Sequence, residues 1–194
     1  MTAPFAASTV SATQTRTCTV LGREVSVDFV PVADEWSRRQ QMGLSGVADR
    51  SVLRVLFGLP SDVAVAREML SAGQIRVLRR APVGVCSLQR CSVTRLLVPA
   101  VRVQHVTLES SPSRAALRDL SQFAPFAPQT LFTTRETVND SLLAEAAFLG
   151  IGVRTQGGRV LGDASWRRPV RHTPAGWLFV EAVTEQVLDD EALF

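Results

Sequence analysis

The chain has 194 residues, 46% of them hydrophobic, and its 21 basic and 18 acidic side chains leave a net charge of +3. That length and apolar share suffice to bury a full core, as one large domain or two small packed ones, and exclude a disordered chain. Every basic residue is Arg and there is no Lys, which excludes any site built on a side-chain primary amine, including a glycine-rich phosphate loop ending in Lys.

Cys18, Cys86 and Cys91 with His105 and His172 are a sparse inventory for metal or disulfide chemistry. Cys86 and Cys91 have no second pair to complete a zinc site, so no metal is assigned and each thiol reads as structural. An odd cysteine count points to a reducing cytoplasm. Residues 1–16 are rich in Thr, Ala and Ser. They read as a frayed tail, neither signal peptide nor membrane anchor, and a membrane is not among the expected partners.

Residues 17–98 form the expected first region. Val25, Val27 and Phe29 alternate with polar residues, as in a hairpin with one buried face that turns at Leu21-Gly22-Arg23 and ends at Pro31. Asp34 caps a short helix anchored by Trp36, and Asp49 opens a second with Val52, Leu53, Val55 and Leu56. Ser61 then caps a third helix with Val63, Ala66, Met69 and Leu70 on one stripe, closed by Gly73. Ile75 to Leu78 and Val83 to Leu88 follow as strands. This succession over residues 49–88, with the phrase Glu-Met-Leu-Ser-Ala-Gly-Gln-Ile-Arg-Val-Leu-Arg-Arg at 68–80, resembles a winged helix-turn-helix passing from reading helix to wing. The helix so read, 61–72, offers Asp62, Arg67 and Glu68 to a groove, a thin set beside the Arg, Asn and Gln that read base edges. Two ordinary helices packed on a sheet remain the alternative.

No acid lies between Met69 and Leu108, yet Arg76, Arg79, Arg80, Arg90, Arg95 and Arg102 do. Such a stretch offers a polyanion a surface. The second expected region, 99–194, begins with strands at Val93 to Val98 and Val101 to Leu108, where strict alternation sets Val101, Val103 and His105 on one face and Arg102, Gln104 and Val106 on the other. His105 then reads as a cross-strand partner. A helix follows, capped by Ser111 with Pro112 at its first position, then a strand at 129–134. Thr137 and Asp140 have capping-box spacing for the next helix, which Gly150 closes before Ile151-Gly152-Val153 and a hairpin turned by Gly157-Gly158. Residues 163–175 read as a loop whose Trp166, Arg167, Arg168 and Arg171 are placed to grip phosphates and stack on a base, with a loop simply packed by its tryptophan as the alternative. Trp177 to Val183 reads as a last strand before an acidic helix.

Strand ending in a carboxylate, helix, strand, helix, strand over residues 93–161 resembles the second half of the PD-(D/E)XK nuclease core, the restriction-endonuclease-like fold. In that family an upstream Asp and the acid of an acid-any-Lys triplet hold a divalent metal that activates water. The resemblance carries over at Glu109 alone, where the triplet's acid belongs. Ser111 stands at the Lys position, and the upstream Asp is absent unless Glu68 or Asp62 folds back to substitute. The resemblance thus implies a degenerate member.

The expected class is α/β (α+β): a mixed central sheet flanked by helices, nuclease-like in its C-terminal half and winged-helix-like in its N-terminal half, the two regions packing as separate units or as one domain. The expected function is DNA association, DNA before RNA, by a non-catalytic protein whose arginines contact phosphates. The alternatives are an adaptor that docks on a protein partner or on a second copy of itself, and a metal-dependent nuclease with Glu109 and Glu68 as ligands. No cofactor is expected, Mg²⁺ entering only with the nuclease reading.

Overall fold

Alternating apolar residues build the first strands, β1 (Gln14–Val20) and β2 (Arg23–Pro31), in a computed structural model that describes residues 12–166 and 173–191. Leu21 and Gly22 both take positive φ, 54° and 72°, the conformation a two-residue hairpin turn requires. Cys18, Val20, Val25, Val27 and Phe29 are buried on one face. Strand β1 starts inside the stretch read as a tail; residues 1–11 lie outside the described ones.

Helix α1 (Ala33–Met42) ends at Gly43, whose φ of 60° makes the left-handed stop, but it begins one residue before the expected Asp34 cap, with Val32 at the cap position. Helix α2 (Arg50–Phe57) starts as expected at Asp49, whose carboxylate accepts from the amides of Ser51 and Val52.

The next segment departs from expectation. Residues 61–72 are not a helix: Ala64–Ala66 is strand β3 and Arg67–Met69 a single 3₁₀ turn. The supposed strand at 75–78 lies instead in helix α3 (Ala72–Leu78). Ser71 and Gln74 exchange both bonds of a capping box, the Ser71 hydroxyl accepting from the Gln74 amide and the Gln74 side chain accepting from the Ser71 amide. That reciprocal bond fixes the helix start, and Ile75 and Leu78, three apart, become its buried pair. Strands β4 (Cys86–Leu88) and β5 (Ser92–Arg95) complete a three-stranded antiparallel sheet ordered β3-β5-β4.

Strand β6 (Val101–Glu109) returns the chain to the first hairpin, pairing antiparallel with β2. Then α4 (Arg114–Ser121), β7 (Gln129–Thr133), α5 (Asp140–Phe148), β8 (Gly152–Thr155) and β9 (Val160–Gly162) follow. The larger sheet is mixed, ordered β1-β2-β6-β7-β8-β9, with β6, β7 and β8 parallel. The caps shift by two residues: Ser113 rather than Ser111 caps α4, and Asn139 rather than Thr137 caps α5.

Alternation fails at one point in β6. Asp28 pairs with His105 but Phe29 with Val103, so Gln104 is an extra residue, a bulge. It turns His105 to the face opposite Val101 and Val106, which are buried in the core, and this reverses the face expected for His105.

The C-terminal segment is not a strand. Pro174–Glu191 forms one helix, α6. Its Trp177 belongs to the core beneath the small sheet, with Leu53, Leu56, Leu78 and Val93, while Phe179, Val183 and Val187 pack with β1, β2 and Phe123 in the core of the large sheet. A third cluster joins α4 and α5 to Leu131 and Val153. The division expected near residue 98 is therefore crossed twice, by the first hairpin and by α6. Among the described residues no helix is long and apolar enough to cross a membrane.

Candidate nucleic-acid interface

Helix α3 turns Ile75 and Leu78 into the core and leaves its Gln74 and Arg76 exposed; Arg79 at its C-cap and Arg80 in the turn beyond are exposed as well. Among the described residues these three guanidinium groups form no ion pair or hydrogen bond with the rest of the chain, so their charge faces solvent. Next to them in sequence, β4 and β5 form a hairpin closed by a bond from the Gln89 amide to the Ser92 carbonyl (2.9 Å), and the two residues at its tip, Arg90 and Cys91, are exposed.

Arg95, grouped with these in sequence, is used inside the fold. Its Nη1 donates to the carbonyls of Leu56 (3.2 Å) and Leu59 (2.9 Å), its Nη2 donates to the Ser61 hydroxyl, and its guanidinium lies 5.0 Å from the centre of the Trp177 ring. Burial lowers its pKa, a shift that the nearby Asp62 partly opposes. Arg102 is exposed on β6, in the other sheet. The acid-free stretch thus divides into four outward arginines around the small sheet, one on the large sheet and one internal bolt.

The face of the large sheet that carries His105 holds the remaining polar groups. His105 Nε2 lies 2.8 Å from Thr130 Oγ1, and the cross-strand partner of His105, Asp28, accepts from the Thr15 hydroxyl at 2.6 Å. Burial lowers the His105 pKa and Arg154 adds to that, while Asp28 pulls the other way. Sequence reasoning passed over Asp28 because its pairing is long-range; the only local signal is that it alternates with buried Val27 and Phe29 and so must face outward.

Glu109 is exposed at the end of β6 and accepts from Gln156 Nε2 at 2.5 Å. Glu68 lies in the 3₁₀ turn beside the small sheet, in the other part of the fold, and is likewise exposed. The structure does not bring the two together. Among the described residues no group of three or more His, Cys, Asp or Glu side chains is placed to hold a metal ion. Glu109 offers a single carboxylate, already engaged by the Gln156 amide, where Mg²⁺ is usually held by one or two carboxylates together with phosphate oxygens and waters.

Comparison with protein-family models, with curated proteins and with solved structures finds no match for the chain.

Trp166 donates from Nε1 to the Ala124 carbonyl at 2.8 Å, so this indole is anchored to the chain following α4. Arg167, Arg168 and Arg171 lie outside the described residues. The thiols are inert by placement or unengaged: Cys18 is buried, burial pushes the Cys86 thiol up, and Cys91 is free at the hairpin tip. What these outward arginines can do together is electrostatic. A capped helix with one outward guanidinium, two more on the turn that ends it and a fourth on the hairpin that follows together present planar donors suited to phosphate oxygens and to the acceptor edge of guanine.

Proposed function

We propose that the chain is a DNA-associated, non-catalytic protein that contacts the duplex through the small sheet and α3. The observation that carries this reading is the exposed set on and just after α3, Gln74 and Arg76 in the helix and Arg79 and Arg80 at its end, beside buried Ile75 and Leu78, with the helix start fixed by a capping box. In this reading α2, β3, a turn, α3 and the β4–β5 hairpin stand for the winged-helix-like unit, with α3 taking the reading role expected of 61–72, a stretch that forms a strand and a 3₁₀ turn instead. The thin set of Asp62, Arg67 and Glu68 is thereby replaced by a cationic one. In this reading Arg76, Arg79, Arg80 and Arg90 contact phosphates, and Gln74 offers its amide nitrogen to a base edge because its oxygen is held by the Ser71 amide.

The test is a salt titration of binding to duplex and single-stranded DNA by fluorescence anisotropy. Each phosphate contact adds about 0.9 to the slope of log K against log salt for duplex DNA. Replacing Arg76, Arg79 and Arg80 together by Ala should therefore flatten the slope by about 2 to 3, whereas Arg102→Ala should leave it nearly unchanged. Absence of duplex binding at low ionic strength, or a triple variant that binds like the parent, defeats the proposal.

A further inference from the structure

Helix α5 (Asp140–Phe148) is apolar around most of its circumference, yet Ala146 is its one buried residue. An apolar helix of this kind is ordinarily covered on all sides. Opposite Ala146 lies a stripe of Ser141, Ala144, Ala147 and Phe148, all exposed, with Phe148 at 90%. Of the charges nearby, Asp140 stands on the stripe at its amino end, one turn before Ala144, and Glu145 is held by Arg114 at 3.1 Å. Beside the helix runs β9, the edge strand of the large sheet, with Val160 47% exposed.

From these features we infer that α5 and the β9 edge form a two-fold interface between two copies of this chain. The stripe is self-complementary in shape. An antiparallel mate centred just past Ala144 sets each Phe148 across from the other copy's Ser141, one large side chain over small ones, as close helix packing requires. Along the β9 edge the charges are self-complementary as well. Helix α5 connects the parallel strands β7 and β8 and so runs against β8, as β9 does; α5 and β9 therefore point the same way. Exposed Arg159 then stands at the Asp140 end of the edge and exposed Asp163 at the Phe148 end, and among the described residues neither side chain is ion-paired. A two-fold axis set by Leu161, midway between them, brings each Arg159 end against the partner's Asp163 end. A mate in the parallel sense would set like charges together.

The edge itself favours a closed pair over an open-ended stack. Strand β9 is three residues long and its register slips at Leu161, which sits among the third core cluster, so it offers little ladder to a chain of further copies. The contact is led by the helix, with Phe148 as its anchor.

Sedimentation velocity from micromolar to hundreds of micromolar protein, without nucleic acid, tests this independently of any DNA binding. The parent chain should pass from monomer to dimer. Phe148→Glu should raise the dimer dissociation constant by about 30-fold or more, as for an interface anchor, with an unchanged far-ultraviolet circular dichroism melt because the side chain is exposed. Arg159→Asp and Asp163→Arg should each weaken the dimer, and the two together should restore it. A parent chain that stays monomeric throughout, or a dimer indifferent to Phe148→Glu, overturns the interface. Failure of the double charge reversal to restore association overturns its two-fold register.

Discussion

His105 shows how one residue's surroundings set a measurable property of the chain. The extra residue at Gln104 turns its ring away from the core and towards Thr130, and partial burial there disfavours the imidazolium despite Asp28 on the neighbouring strand. Its folded pKa is therefore below the unfolded value of about 6.5. The unfolded chain then binds the proton more readily, so the contribution is fully present above about pH 6.5 and is lost as pH falls from there towards the folded pKa. Thermal melts at pH 7.5, 6.5 and 5.5 should show the parent losing more stability on acidification than His105→Gln, whose amide keeps a partner for Thr130 but does not titrate. An equal loss in both, or a parent that gains stability, sinks the assignment. Strict alternation could not reveal this residue's face, because a bulge leaves no mark in a single strand's sequence. Similarly, Arg95 and Arg76 look alike in sequence, and only the carbonyls of Leu56 and Leu59 distinguish the internal one.

At the scale of elements, the sequence was legible wherever a cap, a turn and an alternating pattern agreed. The Asp49 cap of α2, the Leu21-Gly22 turn and the strand–helix order from β6 to β8 are cases of this. It was illegible where competing local patterns were short. Residues 61–72 carry helical spacing, yet their backbone is drawn into the small sheet by Val65 pairing with Val93, a contact no local window contains. Trp177 to Val183 reads as a strand because helix α6 is buried on two sides and so lacks a polar stripe. The candidate site followed the same rule: the arginines were visible, but the helix that carries Arg76 and ends at Arg79 was not. Packing between elements also makes one glycine indispensable. A Cβ on Gly46 would stand 2.2 Å from the Glu181 carbonyl oxygen and 2.5 Å from Glu185 atoms, backbone included. Because a helix backbone cannot retreat cheaply, Gly46→Ala should cost about 1–3 kcal/mol, the usual range for overpacking. Gly22→Ala meets no atom within 4 Å and should cost only the strain of its positive φ. Urea denaturation of both variants would refute this if Gly46→Ala were neutral.

Across the whole molecule, the two sheets are joined by a buried charge cluster. Arg39, with no exposed surface, donates from Nε to Glu35 at 2.7 Å, from both Nη atoms to Glu181 at 2.7 and 2.8 Å, and from Nη2 to the Val98 carbonyl at 2.7 Å. Glu181 also accepts from the Val47 amide and the Trp177 indole. Helix α1, the loop after it, the link from β5 to β6 and helix α6 thus meet at one guanidinium. Burial alone would lower the Arg39 pKa, but the bonds and charges of Glu181 and Glu35 outweigh it and raise it, so the group stays charged. Replacing both ions with apolar residues is often tolerated elsewhere, whereas removing one strands its partner without water. Arg39→Ala should therefore cost about 3–5 kcal/mol, against less than about 1 kcal/mol for breaking the surface pair of Arg114 and Glu145. The joint also predicts how the chain unfolds. Trp36 lies in the core of the large sheet and Trp177 in that of the small one, and α6 contributes to both, so neither core can open while the other keeps its α6 side chains. Tryptophan fluorescence and far-ultraviolet circular dichroism should trace one coincident urea transition in the parent chain. In Arg39→Ala the midpoint should fall and, with the joint cut, the two signals should separate. Two resolved transitions in the parent would show that the sheets fold independently and that the buried cluster does not couple them.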